Sequence, residues 1–440
     1  MGHYDDVLAA LRDGELIPFL GAGANLYGRD EADNFKLGAY LPSGRELAVY
    51  LADEFSYEQP DRNNLLLVSQ YASTLRGSGS FYRRLGEVFD REYPINGLHK
   101  FLAKVPAALQ RRGCRYQYQL IITTNYDDVL EEAFREVHEP FDLVTYVAAG
   151  KYQGKFRHVP HGALPREGTA LLRLGEIKKA DKFIGKLRAM ADPPSPYLRA
   201  LLDPGVRRLL DAYDGSNEAL GALLPPLVDD LNRALSGRLF DVTHFEGLSL
   251  ADDVRKLIDD KPQGGQAMCI NRLLLEESYP EELSRSPRSF KIIEDPNTYR
   301  DLPFDNLKLR RTVILKLHGA VDRVADRESF PAELIEDSFV ITEDDYITYL
   351  AHTDISKLVP AQLKSKLSNS GFLFLGYGLR DWNLRVIMHR MWGEQKLSYA
   401  SWAIQRSAGD MEKELWSKRN VRIIETRLED YIPELERRLR

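Results

Sequence analysis

The sequence predicts an α/β fold built on a doubly wound, mostly parallel sheet. Four apolar runs are typical of buried parallel strands, and each ends in small or polar residues: LIPFL at Gly21, QLIITT at Asn125, TVILKL at His318 and GFLFL at Gly376. A helical pattern over 127–137 follows the second run, which gives the strand–turn–helix order of such folds. Because ligands of an open α/β sheet bind at the carboxyl ends of its strands, we expect the four turns to line one crevice.

The other elements follow from periodicity and stop signals. Helical spacing predicts helices over 4–13, 44–57, 61–90 with a break at 77–79, 127–137 and 428–439. Apolar runs predict strands over 16–20, 119–124, 313–317, 339–342, 372–375, 401–405 and 421–425. The segment FRHVPHG, with His158 and His161, is expected to be a loop. In ITEDDYITYL, Thr342 is expected to cap a helix that begins with acidic residues.

The middle of the chain differs in character. Residues 166–289 are rich in Leu, Arg, Lys and Asp, and their helical runs are broken by prolines at 193–196 and 225–226. Strand-like runs are scarce there. We therefore predict a helical insertion over 166–289, so that 1–165 and 290–440 together form the α/β domain.

Composition and charge narrow the class of protein. The 440 residues are 43% hydrophobic and 29% charged, as in ordinary soluble globular proteins. A formal net charge of −6 provides no broad basic field, so direct nucleic-acid binding is not expected as the main activity. No apolar run approaches the about 18 residues that span a bilayer, and the acidic start does not resemble a secretory leader. We expect a cytoplasmic protein without membrane contact.

The two cysteines argue against a metal site. Cys114 and Cys269 stand far apart, which excludes a four-cysteine zinc module and a disulfide framework. We expect two ordinary reduced thiols and no bound metal.

The first turn is rich in glycine. Glycines in Gly21-Ala22-Gly23 let backbone N–H groups approach a pyrophosphate without a Cβ in the way. A tight turn after a strand needs small residues in any case, so this motif alone leaves phosphate binding open.

The fourth turn, GYGLRDWN, has the same two interpretations. Gly376 and Gly378 permit close backbone approach, and Arg380 and Asp381 have the chemistry to contact phosphate or ribose hydroxyls. Alternatively, the Arg380–Asp381 pair caps a helix that begins at Trp382.

The second and third turns carry the polar side chains. Asn125 is suited to hold a water or a sugar hydroxyl, and Asp127 to accept from an amide NH₂, although either residue could simply cap the following helix. His318 has an ordinary pKa of about 6.5, which suits a proton acceptor for a sugar hydroxyl, and Gly319 is expected to leave space above it. His158 and His161 are rival candidates for that role.

Taken in order, these turns resemble those of the sirtuin-like family, in which a Rossmann-like sheet binds NAD. Gly21-Ala22-Gly23 is similar to the family's opening glycine loop, Asn125 and Asp127 to its Asn-x-Asp turn, and His318-Gly319 to its catalytic His-Gly. The resemblance implies Asn125 and His318 as catalytic residues. It implies a cofactor-binding set of Gly21, Ala22, Gly23, Asn25, Thr124, Asp127, Gly376, Gly378 and Asp381.

Departures from the deacylases of that family point to hydrolysis. Asn25 stands where deacylases usually have Ser, the loop LYGRDEADNF lacks their usual run, and their zinc-binding cysteines are missing from this sequence. The runs TTNYDDVLE, VILKLHGAVD and FLGYGLRDWNLR look more like bacterial sirtuin-like proteins of antiphage defence. The resemblance therefore implies a triggered NAD+ glycohydrolase with NAD+ as its substrate. It also implies a homo-oligomer and a partner such as a HerA-type ATPase.

Two other functions stay open. A protein lysine deacylase would use the same cofactor on an acylated peptide. A non-catalytic sensor would bind NAD or ADP-ribose without turnover.

Overall fold

The computed structural model describes residues 2–30, 33–161, 163, 203–216, 218–219, 221–223, 226–227, 290–305, 308–323, 335–352, 359–378, 388 and 399–440. The chain divides into two compact units. The first consists of Met1–His161, Lys291–Asp322 and Glu336–Arg440, and the second of Gly162–Phe290 and Arg323–Ile335. Most of the segment 166–289 lies outside the described residues, so its helical character stays a prediction.

The described strands and helices are given in chain order. The strands are β1 (Leu16–Leu20), β2 (Leu120–Thr123), β3 (Phe141–Tyr146), β4 (Phe156–Val159), β5 (Lys291–Ile293), β6 (Phe304–Asp305), β7 (Lys308–Leu309), β8 (Thr312–Lys316), β9 (Gly319–Ala320), β10 (Ser338–Phe339), β11 (Gly371–Leu375), β12 (Ser401–Gln405) and β13 (Val421–Glu425). The helices are α1 (His3–Arg12), α2 (Gly44–Glu54), α3 (Leu65–Arg76), α4 (Ser78–Phe89), α5 (Gly97–Arg111), α6 (Val129–Glu136), α7 (Pro204–Ala212), α8 (Glu343–His352), α9 (Ala361–Ser368), α10 (Asp410–Lys418) and α11 (Leu428–Leu439).

A nine-stranded sheet organises the first unit. Its order is β13-β12-β11-β1-β2-β8-β3-β4-β5. Neighbouring strands from β13 to β3 pair in parallel, whereas β4 and β5 add antiparallel at one edge. This confirms the predicted α/β, Rossmann-like, mostly parallel sheet.

Both faces of the central strands are buried. In β1, Ile17 and Phe19 belong to one hydrophobic cluster, and Leu16 and Leu20 belong to another. Because successive side chains of a strand point to opposite faces, the sheet has an apolar layer on each side. This explains why its central strands are continuous apolar runs.

Two expectations about local structure are wrong. The predicted strand 339–342 is only the two-residue strand β10, which pairs antiparallel with β9 outside the main sheet. It ends early because Thr342 caps α8 as expected: its hydroxyl accepts from the Asp345 N–H at 3.0 Å, and the Asp345 carboxylate accepts from the Thr342 N–H at 2.9 Å. The segment FRHVPHG is not a loop, since Phe156–Val159 forms β4.

None of the helices within the described ranges is long and apolar enough to cross a bilayer.

Candidate functional site

The four predicted turns lie at the ends of four neighbouring strands, β11, β1, β2 and β8. The register pairs Leu20 with both Leu375 and Thr123, and it pairs Thr123 with Lys316. The residues that follow these strand ends therefore start from the same edge of the sheet. This arrangement brings the glycine turns, the Asn125 turn and the His318 turn side by side.

The two glycine turns pack directly against each other. The Gly23 N–H donates to the Gly376 carbonyl at 2.9 Å, and the Gly21 N–H donates to the Leu375 carbonyl at 3.1 Å. A Cβ at Gly376 would overlap the backbone nitrogen of Ala24, and the φ of +67° at Gly376 favours glycine as well. Loop packing alone thus requires these glycines, so their role in phosphate binding stays a prediction.

The remaining residues of these turns differ in setting. Ala22–Leu26 forms a short 3₁₀ helix. In the part of the chain that the structure describes, no heavy atom lies within 4 Å of a Cβ built on Gly378, so its backbone faces open space. Arg380 and Asp381 lie outside the described residues.

Asn25, Asn125 and Asp127 form one hydrogen-bonded group. The Asn25 side-chain amide donates to Asp127 Oδ2 at 2.8 Å, although 102 residues separate the two. The Asn125 amide donates to the Gly21 carbonyl at 3.3 Å and to Asn25 Oδ1 at 3.4 Å. Asp127 Oδ1 also accepts from the N–H of Val129, the first residue of α6, at 3.2 Å, so Asp127 contacts both the start of α6 and Asn25.

Tyr377 links the second and fourth turns, a contact that the sequence did not predict. The Thr124 hydroxyl donates to the Tyr377 hydroxyl oxygen at 3.2 Å. The Gln405 amide donates to the Tyr377 carbonyl at 3.3 Å. Thr124 is therefore held at the edge where Gly21 and Gly376 meet.

A buried ion pair lies beneath the Asn125 turn and was also missed. Lys316, 1% exposed, places Nζ 2.6 Å from Oε1 of Glu131, which is 2% exposed. The same Nζ donates to the backbone carbonyl of Asp127. Burial raises the pKa of Asp127 and the pKa of Glu131, and the positive charge of Lys316 opposes both shifts. A lysine in the run TVILKL was the available signal, because the rest of that strand is apolar.

His318 lies in an apolar setting rather than under open space. It is 3% exposed, and its ring packs edge-on against Tyr346 and Tyr349, with centroid distances of 5.5 and 5.7 Å. Among the described residues, none forms a hydrogen bond with its Nε2. Burial lowers the pKa of His318 to about 3, so the ring is neutral near pH 7. The expectation that Gly319 leaves space is wrong: the Ser338 backbone occupies the position of a Cβ there, and φ is +88°.

The rival histidines belong to a structural cluster. His158 Nε2 lies 3.0 Å from Asp142 Oδ2, and its Nδ1 lies 2.7 Å from the Tyr299 hydroxyl. Burial alone would raise the pKa of Asp142, but hydrogen bonds from His158 and Arg311 hold it below its usual value. The backbone N–H of His161 donates to the same carboxylate at 2.9 Å. Since both ring nitrogens of His158 are engaged, this cluster stabilises the edge of the sheet.

Two cavities border the glycine turns. One of about 440 Å³ is lined by residues of the glycine turns and of the β12 and β13 ends, including Gly376, Gly378, Arg406 and Glu429. The other, of about 290 Å³, lies beside Asn25 and is lined by Tyr93, Asn96, His99 and Val129 among others. Small-molecule sites usually enclose about 300–1,000 Å³, so the larger cavity falls within this range and the smaller one lies at its lower end. The sequence did not predict the contributions of Arg406, Glu429 and His99.

Acid pH is expected to destabilise the fold through two buried histidines. Burial lowers the pKa of His318 to about 3 and, together with the charge of Lys316, the pKa of His99 to about 4. Above these values and below 6.5, the ordinary pKa, the unfolded chain binds protons that the folded chain excludes, so stability rises with pH. The free energy of unfolding should fall by up to about 1.4 kcal/mol per pH unit for each histidine on acidification through this window. Urea unfolding of wild type and His318→Gln between about pH 4 and 7 measures the slope, and equal slopes would contradict the prediction.

A sheet of this order, with glycine and Asn/Asp turns at one edge, is typical of Rossmann-like folds, in which ligands bind at the carboxyl ends of the strands. The SIR2-like domain family matches residues 273–424, which include His318 and Gly376. Residues 273–424 are therefore similar to a SIR2-like domain, and such a domain indicates an NAD-utilising enzyme. The Gly21 and Asn125 turns lie outside the matched range. No curated protein matches the chain.

Proposed function

We propose that the protein is an NAD+ glycohydrolase that cleaves the bond between nicotinamide and ribose and releases ADP-ribose. The observation that carries the proposal is the pairing of β2 with β8, which sets Asn125 and His318 at adjacent strand ends. Asn25 and Asp127 complete a polar group on the same edge.

The leaving group sets the demands on catalysis. Nicotinamide leaves NAD+ as a neutral molecule, so no general acid is required. The enzyme must hold the ribose, stabilise an oxocarbenium-like transition state and present water. In our proposal Asn125 holds the ribose and the attacking water, and the Asp127 carboxylate accepts from the nicotinamide carboxamide.

His318 acts in this proposal as a neutral hydrogen-bond acceptor for a ribose hydroxyl. A group whose pKa is about 3 is a weak base near neutrality, because efficient general bases titrate close to the working pH. A neutral ring also adds no positive charge next to the cationic transition state. The unpartnered Nε2, as judged within the described residues, supports this assignment.

We propose that the phosphates and the adenosine of NAD+ bind on the other side of the glycine turns. In our proposal the Gly21–Gly23 backbone contacts the pyrophosphate. The cavity of about 440 Å³ at Gly376 and Gly378 takes the adenosine side. We also propose that Asp381 contacts the adenosine side of NAD+.

Purified protein incubated with NAD+ tests the activity. We expect nicotinamide and ADP-ribose to appear in equal amounts by chromatography. Asn125→Ala should reduce turnover by about 30- to 1,000-fold, equivalent to about 2 to 4 kcal/mol of lost transition-state stabilisation. Asn63→Ala is the matched control, because Asn63 is exposed and far from the strand ends in sequence.

The products separate the alternatives. Equal turnover by wild type and Asn125→Ala would rule out the assigned site. NAD+ consumption only with an acylated peptide, giving O-acyl-ADP-ribose, would favour a deacylase. Tight nucleotide binding without turnover, also in extracts of phage-infected cells, would favour a sensor.

We further propose a triggered, NAD-depleting effector of bacterial antiphage defence that acts as a homo-oligomer with a partner such as a HerA-type ATPase. Support comes from the likeness of TTNYDDVLE, VILKLHGAVD and FLGYGLRDWNLR to bacterial defence proteins. Cellular NAD+ should fall after phage infection in cells that express the wild type and not Asn125→Ala. Equal NAD+ levels in both would contradict this role.

A further inference from the structure

We propose that Lys316 is a positioning residue that holds the turn carrying Asn125 and Asp127 at a fixed place relative to His318. Lys316 ends β8, and His318 lies two residues further along the same backbone. The proposal rests on the proposed NAD+ hydrolysis, in which Asn125 and His318 contact one ribose. Lys316 itself lines neither of the two cavities at the glycine turns, so it would act through the turn and not on the ligand.

The Lys316 ammonium reaches from β8 to the end of the neighbouring turn. Its Nζ donates to the backbone carbonyl of Asp127. The two strands also pair directly: the register sets Thr123 beside Lys316, and the Leu317 N–H donates to the Thr123 carbonyl at 3.0 Å. The backbone of β8 therefore fixes the start of the Asn125 turn, and the Lys316 side chain fixes its end.

Glu131 anchors the ammonium in this position. Its Oε1 lies 2.6 Å from Lys316 Nζ, and both side chains are almost fully buried. Glu131 belongs to the first turn of α6, whose first residue, Val129, donates its N–H to Asp127 Oδ1 at 3.2 Å. A lysine side chain has many rotamers, so its ammonium holds a carbonyl in one place only when a second group restrains it. The ion pair therefore ties β8, the Asn125 turn and α6 together at one point.

The charge of Lys316 acts on the same turn. Burial raises the pKa of Asp127 and the pKa of Glu131, and the positive charge of Lys316 opposes both shifts. Burial and this charge lower the pKa of His99 to about 4, so the His99 ring adds no second cation near pH 7. Lys316 therefore favours the ionised Asp127 that the proposed mechanism uses. The other ionisable groups around Asp127, Asn25 or Glu131 are Tyr93, Asp128, Arg135 and Arg29, the last of which is paired with Glu46 at 2.5 Å.

Two double substitutions at the same two positions separate positioning from stability. The charge-free variant, Lys316→Met with Glu131→Leu, removes the donor and both charges, and it should fold because apolar residues of similar size replace the pair. The charge-retaining variant, Lys316→Arg with Glu131→Asp, keeps an ion pair and a donor, since one side chain is longer and the other shorter. Glu131→Gln is a milder third variant that keeps the ammonium and weakens its anchor.

Steady-state kinetics with NAD+ measure the effect on catalysis. The charge-free variant should lose about 10- to 100-fold in kcat, because a displacement of about 1 Å in the reacting groups costs this much. Its KM should rise by no more than about threefold, since the adenosine side is untouched. The acid limb of its pH profile should move to higher pH, because Asp127 loses a cation that lowers its pKa.

The other variants define the specificity of this result. The charge-retaining variant should keep kcat within about fivefold of wild type, and Glu131→Gln should lower it by about two- to fivefold, since each keeps a cationic donor near the Asp127 carbonyl. Lys413→Met is the matched control, because it removes a lysine from a half-exposed ion pair, and it should leave kcat unchanged.

Hydrogen exchange followed by mass spectrometry tests the position of the turn without requiring turnover. In the charge-free variant the amide protons of residues 123–128 should exchange at least about tenfold faster than in wild type. Those of β13, at the far edge of the sheet, should exchange at the wild-type rate. The charge-retaining variant should match wild type in both segments.

The outcomes distinguish this inference from the proposed function. Wild-type kcat in the charge-free variant, unchanged exchange over 123–128, or an equal loss of kcat in both double variants would overturn the role of Lys316. If wild type hydrolyses NAD+ in that case, the proposed function stands. If wild type never hydrolyses NAD+, the hydrolase is refuted, and faster exchange over 123–128 in the charge-free variant alone would still support Lys316 as the residue that holds the turn.

Discussion

Replacing Lys316 by methionine is expected to lower the free energy of unfolding by about 3 to 5 kcal/mol. Lys316 and Glu131 are almost fully buried, and Lys316 Nζ lies 2.6 Å from Glu131 Oε1. Removal of the ammonium leaves the Glu131 carboxylate uncompensated in an apolar interior, and the Asp127 carbonyl loses its donor. Urea unfolding followed by circular dichroism at about pH 7 measures the change.

Two further variants make this prediction specific. Lys316→Met combined with Glu131→Leu removes both charges and should recover most of the lost stability, since a buried pair replaced by apolar residues of similar size is often neutral. Lys413→Met breaks the Lys413–Glu425 pair, in which the side chains are 38% and 41% exposed, and should leave the free energy of unfolding nearly unchanged because solvent screens such pairs. A Lys316→Met protein as stable as Lys413→Met would contradict the burial of the charge.

The central sheet was predictable because burial on both faces demands continuous apolar runs. β1, β8 and β11 therefore match their predicted ranges to within a residue or so. Strand β4 was missed because its polar residues are satisfied by partners distant in sequence: His158 reaches Asp142 and Tyr299. The Thr342 cap was predicted correctly because its partner, Asp345, is only three residues away.

In the candidate site, too, features set by local sequence were predictable and contacts between distant residues were not. The order of the turns predicted which strand ends would meet, since parallel strands share their carboxyl edge. Contacts between turns had no local signal: Asn25 reaches Asp127 across 102 residues, and Lys316 reaches the Asp127 carbonyl from another strand. The low pKa of His318 depends on the rings of Tyr346 and Tyr349, which α8 brings to it. Because burial lowers the pKa of His318 to about 3, the expected general base is a weak base that stays neutral near pH 7.

Gly376→Ala is expected to lower the free energy of unfolding by about 2 to 5 kcal/mol and to abolish NAD+ turnover. The φ of +67° alone costs a residue with a Cβ about 1 to 2 kcal/mol, and forced repacking adds about 1 to 3 kcal/mol. The added Cβ would meet backbone atoms of Gly23 and Ala24, which cannot rotate away as a side chain could. The Gly23–Gly376 hydrogen bond would therefore break and the two glycine turns would separate.

Gly378→Ala separates this packing requirement from ligand binding. Gly378 has open space around its Cβ position in the described part of the chain, so its substitution should change stability by no more than about 0.5 kcal/mol. If the Gly378 backbone approaches the dinucleotide as we propose, the variant should still bind NAD+ more weakly by calorimetry. Equal stability losses for Gly376→Ala and Gly378→Ala would refute the packing argument, whereas unchanged NAD+ affinity in Gly378→Ala would remove Gly378 from the site. The two substitutions, two residues apart, therefore distinguish a glycine that the fold requires from one that only the ligand would require.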